Sequence, residues 1–198
     1  MTPINLNRRT VVTASALLIS GLTGCEASEP PFHGTSLKGA QYGQDFKLRD
    51  PQGRERQLAD FRGKVVLLFF GFTQCPDVCP TALSRAAAVR QLLGKDADLL
   101  QVLFVTLDPE RDTPQVLTQY TTAFDPSFLG LWSDEAGTAA AAKNFKVFFH
   151  KVSTGSSYTL DHSTISYLFD PKGRLRVAVA HGMSAADLAA DVRMLMVP

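Results

Sequence analysis

Cys75 and Cys79 stand four positions apart in Gly71-Phe72-Thr73-Gln74-Cys75-Pro76-Asp77-Val78-Cys79-Pro80. Two thiols this close can act as a nucleophile, as a redox couple or as a pair of soft ligands for one metal ion. The residues before them, Lys64 to Phe72, are apolar almost throughout, as in a strand buried on both faces. Beyond them, Ala82, Ala86, Val89 and Leu93 fall on one stripe, which predicts a helix from Pro80 to Leu93 ended by Gly94. Pro80 disfavours helical backbone at Cys79 and suits the first helical position itself. Cys79 is therefore expected at the helix entrance and Cys75 on the loop before it. Both sulfurs would face unpaired amides at the positive end of the helix dipole, which favours thiolate.

A purely structural bridge is the plain alternative for such a pair. A disulfide closing a ring of about five residues contributes only roughly 2 kcal/mol, which argues against stability as its purpose. The four-residue spacing, with Pro76 between the cysteines and Pro80 after them, differs from the Cys-x-x-Cys of ordinary disulfide oxidoreductases. Two thiolates suit Cu(I) or Zn(II), but zinc usually takes four protein ligands, and the chain has no second cysteine pair and no His-x3-His. A two-sulfur, one-nitrogen copper centre fits better. His162, in Asp161-His162-Ser163-Thr164, is the candidate for the nitrogen because it immediately precedes a strand expected from Ile165 to Asp170; a surface or hydrogen-bonded role is the alternative for a histidine beside a strand. In a thioredoxin-like fold the loop at that place carries a cis-proline facing the dithiol, whereas here no proline lies between Tyr158 and Phe169. A neutral imidazole there would complete three-coordinate copper and help accommodate Cu(II). His33, His150 and His181 lack such a placement and default to solvated or structural roles. Asp77 and Asp161 are candidates for orienting a ligand, with turn and capping roles as the alternative.

These residues need a scaffold, and the chain alternates strand-length apolar runs with segments of helical period, the pattern of an α/β domain. Gln44 to Leu48 and Arg54 to Leu58 flank Asp50-Pro51-Gln52-Gly53 and predict an opening hairpin. Further strands are expected at Leu99 to Leu107, Val147 to Lys151 and Leu175 to Ala180. Thr113 and Pro114 cap a second helix, a third is expected over Asp134 to Phe145, and Ser184 with Asp187 forms a capping box for a last helix. The order predicts an α/β, thioredoxin-like fold with an N-terminal hairpin and an inserted hairpin. Asp108-Pro109-Glu110-Arg111-Asp112-Thr113-Pro114 reads as an ordered loop at a strand end, to which residue types alone assign no chemistry.

At the N-terminus, Arg8 and Arg9 precede an uncharged stretch ending in Leu22-Thr23-Gly24-Cys25. Its apolar part is shorter than the roughly 20 residues that span a bilayer. Residues 1–24 read as an export signal, of Sec or twin-arginine type, with Cys25 as the lipidated first residue of the mature chain. Residues 25–36 read as lipidated cysteine and flexible tether, and 37–198 as the domain. Lys plus Arg number 20 against 19 Asp plus Glu; without Arg8 and Arg9 the balance is −1, which gives no electrostatic footprint for nucleic acid.

The sequence resembles the SCO/SenC family. The likeness rests on Asp60-Phe61-Arg62-Gly63-Lys64, the Gly71 to Pro80 motif, the Asp108 to Pro114 segment and Asp161-His162-Ser163, and covers roughly residues 36 to 196. It implies a membrane-tethered, thioredoxin-like domain binding one copper per chain, as Cu(I) or Cu(II), through Cys75, Cys79 and His162. It further implies work on the binuclear copper site of cytochrome c oxidase, either delivering metal to the copper-bearing subunit or another copper chaperone, or reducing that site's cysteines. The lipobox at Cys25 departs from the membrane helix of many members. Two functions stay open: a metallochaperone that hands on Cu(I) by ligand exchange, and a thiol-disulfide oxidoreductase in which Cys75 attacks and Cys79 resolves. A peroxidase is disfavoured by the lack of a separate resolving cysteine.

Overall fold

The computed structural model describes residues 31–197. The expected signal segment, Cys25 and the first residues of the tether lie outside the described residues. The chain runs through β1 (Thr35–Ser36), β2 (Leu48–Arg49), β3 (Glu55–Arg56), β4 (Val65–Gly71), α1 (Val78–Leu93), β5 (Leu100–Thr106), α2 (Pro114–Thr122) and β6 (Leu129–Leu131). It continues through α3 (Glu135–Asn144), β7 (Phe149–Ser153), β8 (Tyr158–His162), β9 (Ser166–Phe169), β10 (Leu175–Val179) and α4 (Ala185–Met196). Six strands form one mixed sheet in the order β1-β10-β9-β4-β5-β6, while β2 with β3 and β7 with β8 form separate ribbons. This is a thioredoxin-like α/β fold, with the first ribbon before its core and the second inserted ahead of β9.

All seven residues of β4 are buried, the apolar run placing it at the centre of the sheet. β5 runs parallel to it with Phe104 beside Phe69, and β9 runs antiparallel on its other side with Ser166 beside Phe69. α1 and α4 pack on each other and α2 packs on β6. Cys79, Ala82, Leu83, Ala86, Val89 and Leu93 form the buried stripe of α1. No helix among the described residues is long and apolar enough to cross a membrane.

One turn chemistry is used twice. In Asp50-Pro51-Gln52-Gly53-Arg54 and Asp170-Pro171-Lys172-Gly173-Arg174 the glycine takes positive φ, at 79° and 73°. Each aspartate accepts hydrogen bonds from the amides two and four residues on, and from the arginines four and six residues on. At Asp170 burial alone would raise the carboxyl pKa, but the Arg174 and Arg176 hydrogen bonds and backbone amides outweigh it and hold it below the ordinary value.

The observed elements differ from expectation in instructive places. The opening hairpin is shorter, only two residues per strand. α1 begins at Val78, so Pro80 is its third residue, tolerated because first-turn amides have no intrahelical partner. Asp134 caps α3, its side chain accepting from the Gly137 amide. β6 and β8 were not foreseen: β6 is only three residues long, within the apolar run Phe128 to Trp132 that Gly130 interrupts, and β8 mixes polar with apolar positions. Ser184 caps α4 by accepting from the Asp187 amide, and its hydroxyl bonds to the Asp187 carboxylate. Thr35–Ser36, read as tether, pairs with β10, and the fully buried Asp191 carboxylate of α4 accepts the His33 and Gly34 amides at 2.8 and 2.9 Å.

The Asp170 pKa is lowered by folding, so its contribution is present above the ordinary carboxylate range near 4 and is lost as pH falls through it. Asp170→Asn is expected to lower stability at pH 7 by about 1.5–3 kcal/mol. Urea denaturation from pH 7 to 3 is expected to show a shallower acid decline for the variant than for the parent protein.

Candidate metal centre

The site lies where β4 ends. Because β9 is antiparallel to β4, the residues just before Ser166 return beside the loop that follows Gly71. That topology brings His162, the last residue of β8, to Cys75 and Cys79, which are 87 and 83 positions away in sequence. The Cys75 Sγ, the Cys79 Sγ and one imidazole nitrogen lie within 4.8 Å of one another, and Cys79 Sγ to His162 Nε2 is 3.7 Å. Cys75 sits on the loop, partly exposed, while Cys79 is fully buried in the first turn of α1.

The imidazole tautomer follows from its neighbour. His162 Nδ1 is 2.8 Å from the Ser163 carbonyl oxygen, which can only accept, so in the neutral ring Nδ1 carries the proton and Nε2 presents a lone pair to the sulfurs. The ring packs edge-on against Phe72 and Phe69, with centroid distances of 5.8 and 6.2 Å. Neither carboxylate proposed as an orienting group performs that task. Asp77 occupies the exposed N-cap position of α1 without a capping hydrogen bond to its side chain, and Asp161 faces outward, 3.6 Å from His150 Nε2 across the ribbon. The Ser163 carbonyl takes that place.

The two sulfurs are unequal, contrary to the expectation that the helix end lowers both. Cys75 is held down to about 4, chiefly by the hydrogen bond it receives from the Cys79 thiol, with amides of Asp77 and Cys79 assisting against burial. Cys79 is pushed well above the usual thiol range, first because it is the donor of that bond and then by burial. One proton is shared by the pair, and the exposed sulfur is the thiolate. The Cys79 amide also points at Cys75 Sγ, at 3.5 Å.

Gly71 and Asp112, not recognised in sequence as site residues, shape this arrangement. A Cβ on Gly71 would lie 2.6 Å from Cys79 Sγ and 2.9 Å from the Phe104 ring, so only glycine lets the sulfur approach the strand end. Asp112 is buried and accepts from the Thr73 amide at 3.0 Å and from the Thr73 and Thr106 hydroxyls at 2.6 Å each. Burial raises its pKa, against which those hydrogen bonds act. It ties the cysteine loop to the end of β5. Gly71 stands at the end of a buried strand and Asp112 in the loop after one, but what each does depends on tertiary contacts, with the Cys79 sulfur and the Phe104 ring for Gly71 and with Thr73 for Asp112.

The donor set fits a metal. A first-row ion with bonds of about 2.0–2.3 Å in a trigonal plane spaces its donors by about 3.8–4.0 Å; Cys79 Sγ and His162 Nε2 stand at 3.7 Å, and all three donors lie within 4.8 Å of one another. Among the described residues the group contains two sulfurs and one nitrogen, with no carboxylate. That set is soft, three-coordinate and suited to Cu(I) more than to tetrahedral zinc.

Comparison with known proteins agrees with this geometry. The profile of the SCO1/SenC family matches residues 34–197. The chain belongs to the SCO1/SenC family. Among curated relatives of this SCO1/SenC chain, an SCO2-like protein of Rickettsia felis is 38% identical over 135 residues, covering 67% of this chain and 66% of the relative. The chain thus spans about two thirds of that relative's length. Among solved structures, copper-bound ScoI of Bradyrhizobium japonicum is 39% identical with a TM-score of 0.69, covering 75% of this chain and 96% of that one. Apo Sco1 of Thermus Thermophilus is 38% identical with a TM-score of 0.72, covering 84% and 97%.

Gly71→Ala is expected to displace the Cys79 sulfur and to destabilise the domain by about 1–3 kcal/mol through overpacking. Thermal denaturation reads the stability, and mass spectrometry after brief iodoacetamide treatment at pH 6 reads the sulfurs. The parent protein should be alkylated at Cys75 alone, the variant at both cysteines.

Proposed function

We propose that this protein is a copper metallochaperone: Cys75, Cys79 and His162 hold one copper ion, which is handed to an acceptor during assembly of the binuclear copper site of cytochrome c oxidase. The observation that carries the reading is the convergence of two sulfurs and an imidazole nitrogen within 4.8 Å. It is supported by the likeness to ScoI of Bradyrhizobium japonicum, whose structure holds copper. Copper is the cargo here. Two thiolates satisfy Cu(I), and the harder Nε2 of His162 makes the site hospitable to Cu(II) as well. Because Cys75 is the exposed sulfur, an acceptor thiolate or imidazole can replace it first, while buried Cys79 retains the ion until transfer is complete. The acceptor in this reading is the copper-bearing oxidase subunit or another copper chaperone. The domain, residues 37–198, is held to a bacterial membrane by lipid on Cys25 and faces the periplasm or extracytoplasmic side. The motif Leu22-Thr23-Gly24-Cys25 supports that anchor.

The asymmetry of the sulfurs favours a second reading, a thiol-disulfide oxidoreductase. Cys75 thiolate would attack a partner disulfide, forming a mixed disulfide and releasing one partner thiolate. Cys79, once deprotonated, would attack the Cys75 sulfur, leaving an intramolecular disulfide and a fully reduced partner. That route makes no use of His162.

Copper titration separates the two. His162→Ala is expected to weaken Cu(II) binding at least about tenfold, as loss of site residues does, while the dithiol reduction potential stays near that of the parent. Unchanged Cu(II) affinity would contradict ligation by His162. Cys25→Ser is expected to move the protein from the membrane fraction to the soluble extract, read by fractionation and immunoblot; retention in the membrane would contradict the lipid anchor.

A further inference from the structure

The ribbon β7–β8 carries His162 but has no backbone pairing with the six-stranded sheet. A two-stranded ribbon is marginal by itself, so its place is fixed by side chains. Alternation along β8 puts Tyr158, Leu160 and His162 on one face. Leu160 is buried in the core, His162 meets the sulfurs, and Tyr158 meets Arg111.

Arg111 belongs to the Asp108 to Pro114 segment, in which Asp112 bonds the cysteine loop. Its guanidinium carbon lies 3.7 Å from the centre of the Tyr158 ring. Its Nη1 donates to the Tyr158 carbonyl at 2.8 Å and to Gln74 Oε1, next to Cys75, at 3.1 Å. Its Nε donates to the buried Asp108 carboxylate, which also accepts the Tyr158 hydroxyl at 2.8 Å. The Arg111 side chain is only 16% exposed, so these contacts are screened little by solvent. One planar cation therefore joins three segments: the loop bearing Cys75, the loop after β5 and the ribbon bearing His162.

We infer that Arg111 is a positioning residue that clamps the ribbon through Tyr158 and so holds His162 at its distance from the two sulfurs. The inference rests on the reading of His162 as a copper ligand. Its consequence is selective. Cu(I) can be kept by Cys75 and Cys79, neither of which the ribbon carries, whereas Cu(II) depends on the imidazole. Lysine cannot replace arginine here, since a single ammonium cannot stack on the ring while donating along a rigid fork. Lys151 also approaches the Tyr158 ring, at 4.5 Å, and its partner Glu110 accepts from the Tyr158 hydroxyl at 3.3 Å, but the two side chains are about half and two-thirds exposed, so solvent weakens these contacts relative to those of Arg111.

The test uses the full-length protein and three variants, Arg111→Ala, Arg111→Lys and Lys151→Ala. Measured are Cu(I) and Cu(II) affinities, the Cu(II) absorption spectrum, amide hydrogen exchange over residues 158–162, and the melting temperature. Arg111→Ala is expected to lose about 10–100-fold in Cu(II) affinity, the range seen when groups orienting a ligand are removed. Its Cu(II) spectrum should change and exchange at residues 158–162 should quicken, while Cu(I) stoichiometry stays at that of the parent. Arg111→Lys should not rescue it, and Lys151→Ala should match the parent. Parent-like Cu(II) affinity and exchange in Arg111→Ala would overturn the clamp, as would full rescue by lysine. If Arg111→Ala does not fold, the same measurements on Tyr158→Ala decide. A parent protein that takes up no copper would overturn the functional reading instead, and exchange over 158–162 would still judge the clamp.

Discussion

The antiparallel pairing of β9 with β4 is the constraint on which this molecule depends. β4 ends in the cysteine loop, and the Phe69–Ser166 pairing fixes the start of β9 beside that end. All four residues of β9 are buried, so a one-residue slip would exchange the side chains it sends into the two layers flanking the sheet, and the register is held by the core as well as by backbone hydrogen bonds. Once it is set, the chain arriving at Ser166 must pass the two sulfurs, and His162 lies four positions upstream. The metal centre is thus a product of sheet topology. The residues around it refine the placement: Gly71 by having no Cβ, Asp112 by bonding the cysteine loop to the β5 end, and Phe69 and Phe72 by enclosing the imidazole.

Within that frame the two cysteines divide the work. A hydrogen bond from the buried Cys79 thiol holds the exposed Cys75 as thiolate, so the pair has one charge where two separate thiolates would repel in a desolvated site. Cys75 and Cys79 would hold a bound cation as thiolates, the ion supplying the charge that lets the second sulfur give up the shared proton. The same state, without a cation, leaves a nucleophile at the surface with its resolving partner behind it. In the two proposed readings, copper carriage and thiol exchange would be two uses of one arrangement, and His162 would be the group that distinguishes them.

Much of this was legible in the chain. The unbroken apolar run of β4, the helical stripe after it, and the capping residues Thr113 and Ser184 carry local signals that tertiary packing reinforces. His162 could be placed because a buried strand follows it closely and no proline occupies the preceding loop. β8 was not legible, since a half-exposed ribbon with polar alternation resembles a loop. The inequality of the sulfurs depends on which one is buried, and the demand for glycine at position 71 depends on a sulfur eight residues onward. Arg111 reaches Gln74 and Tyr158 across 37 and 47 positions. Such information resides in the assembled fold.

The central claim is that two sulfurs and one imidazole nitrogen bind a single ion. X-ray absorption at the copper edge, recorded on the reduced protein loaded with one equivalent of Cu(I) or Cu(II), tests it most directly. The account predicts two sulfur scatterers in both states and one imidazole nitrogen that is lost on replacement of His162. A copper ion surrounded by oxygen and nitrogen alone, or an imidazole signal that survives that replacement, would contradict it.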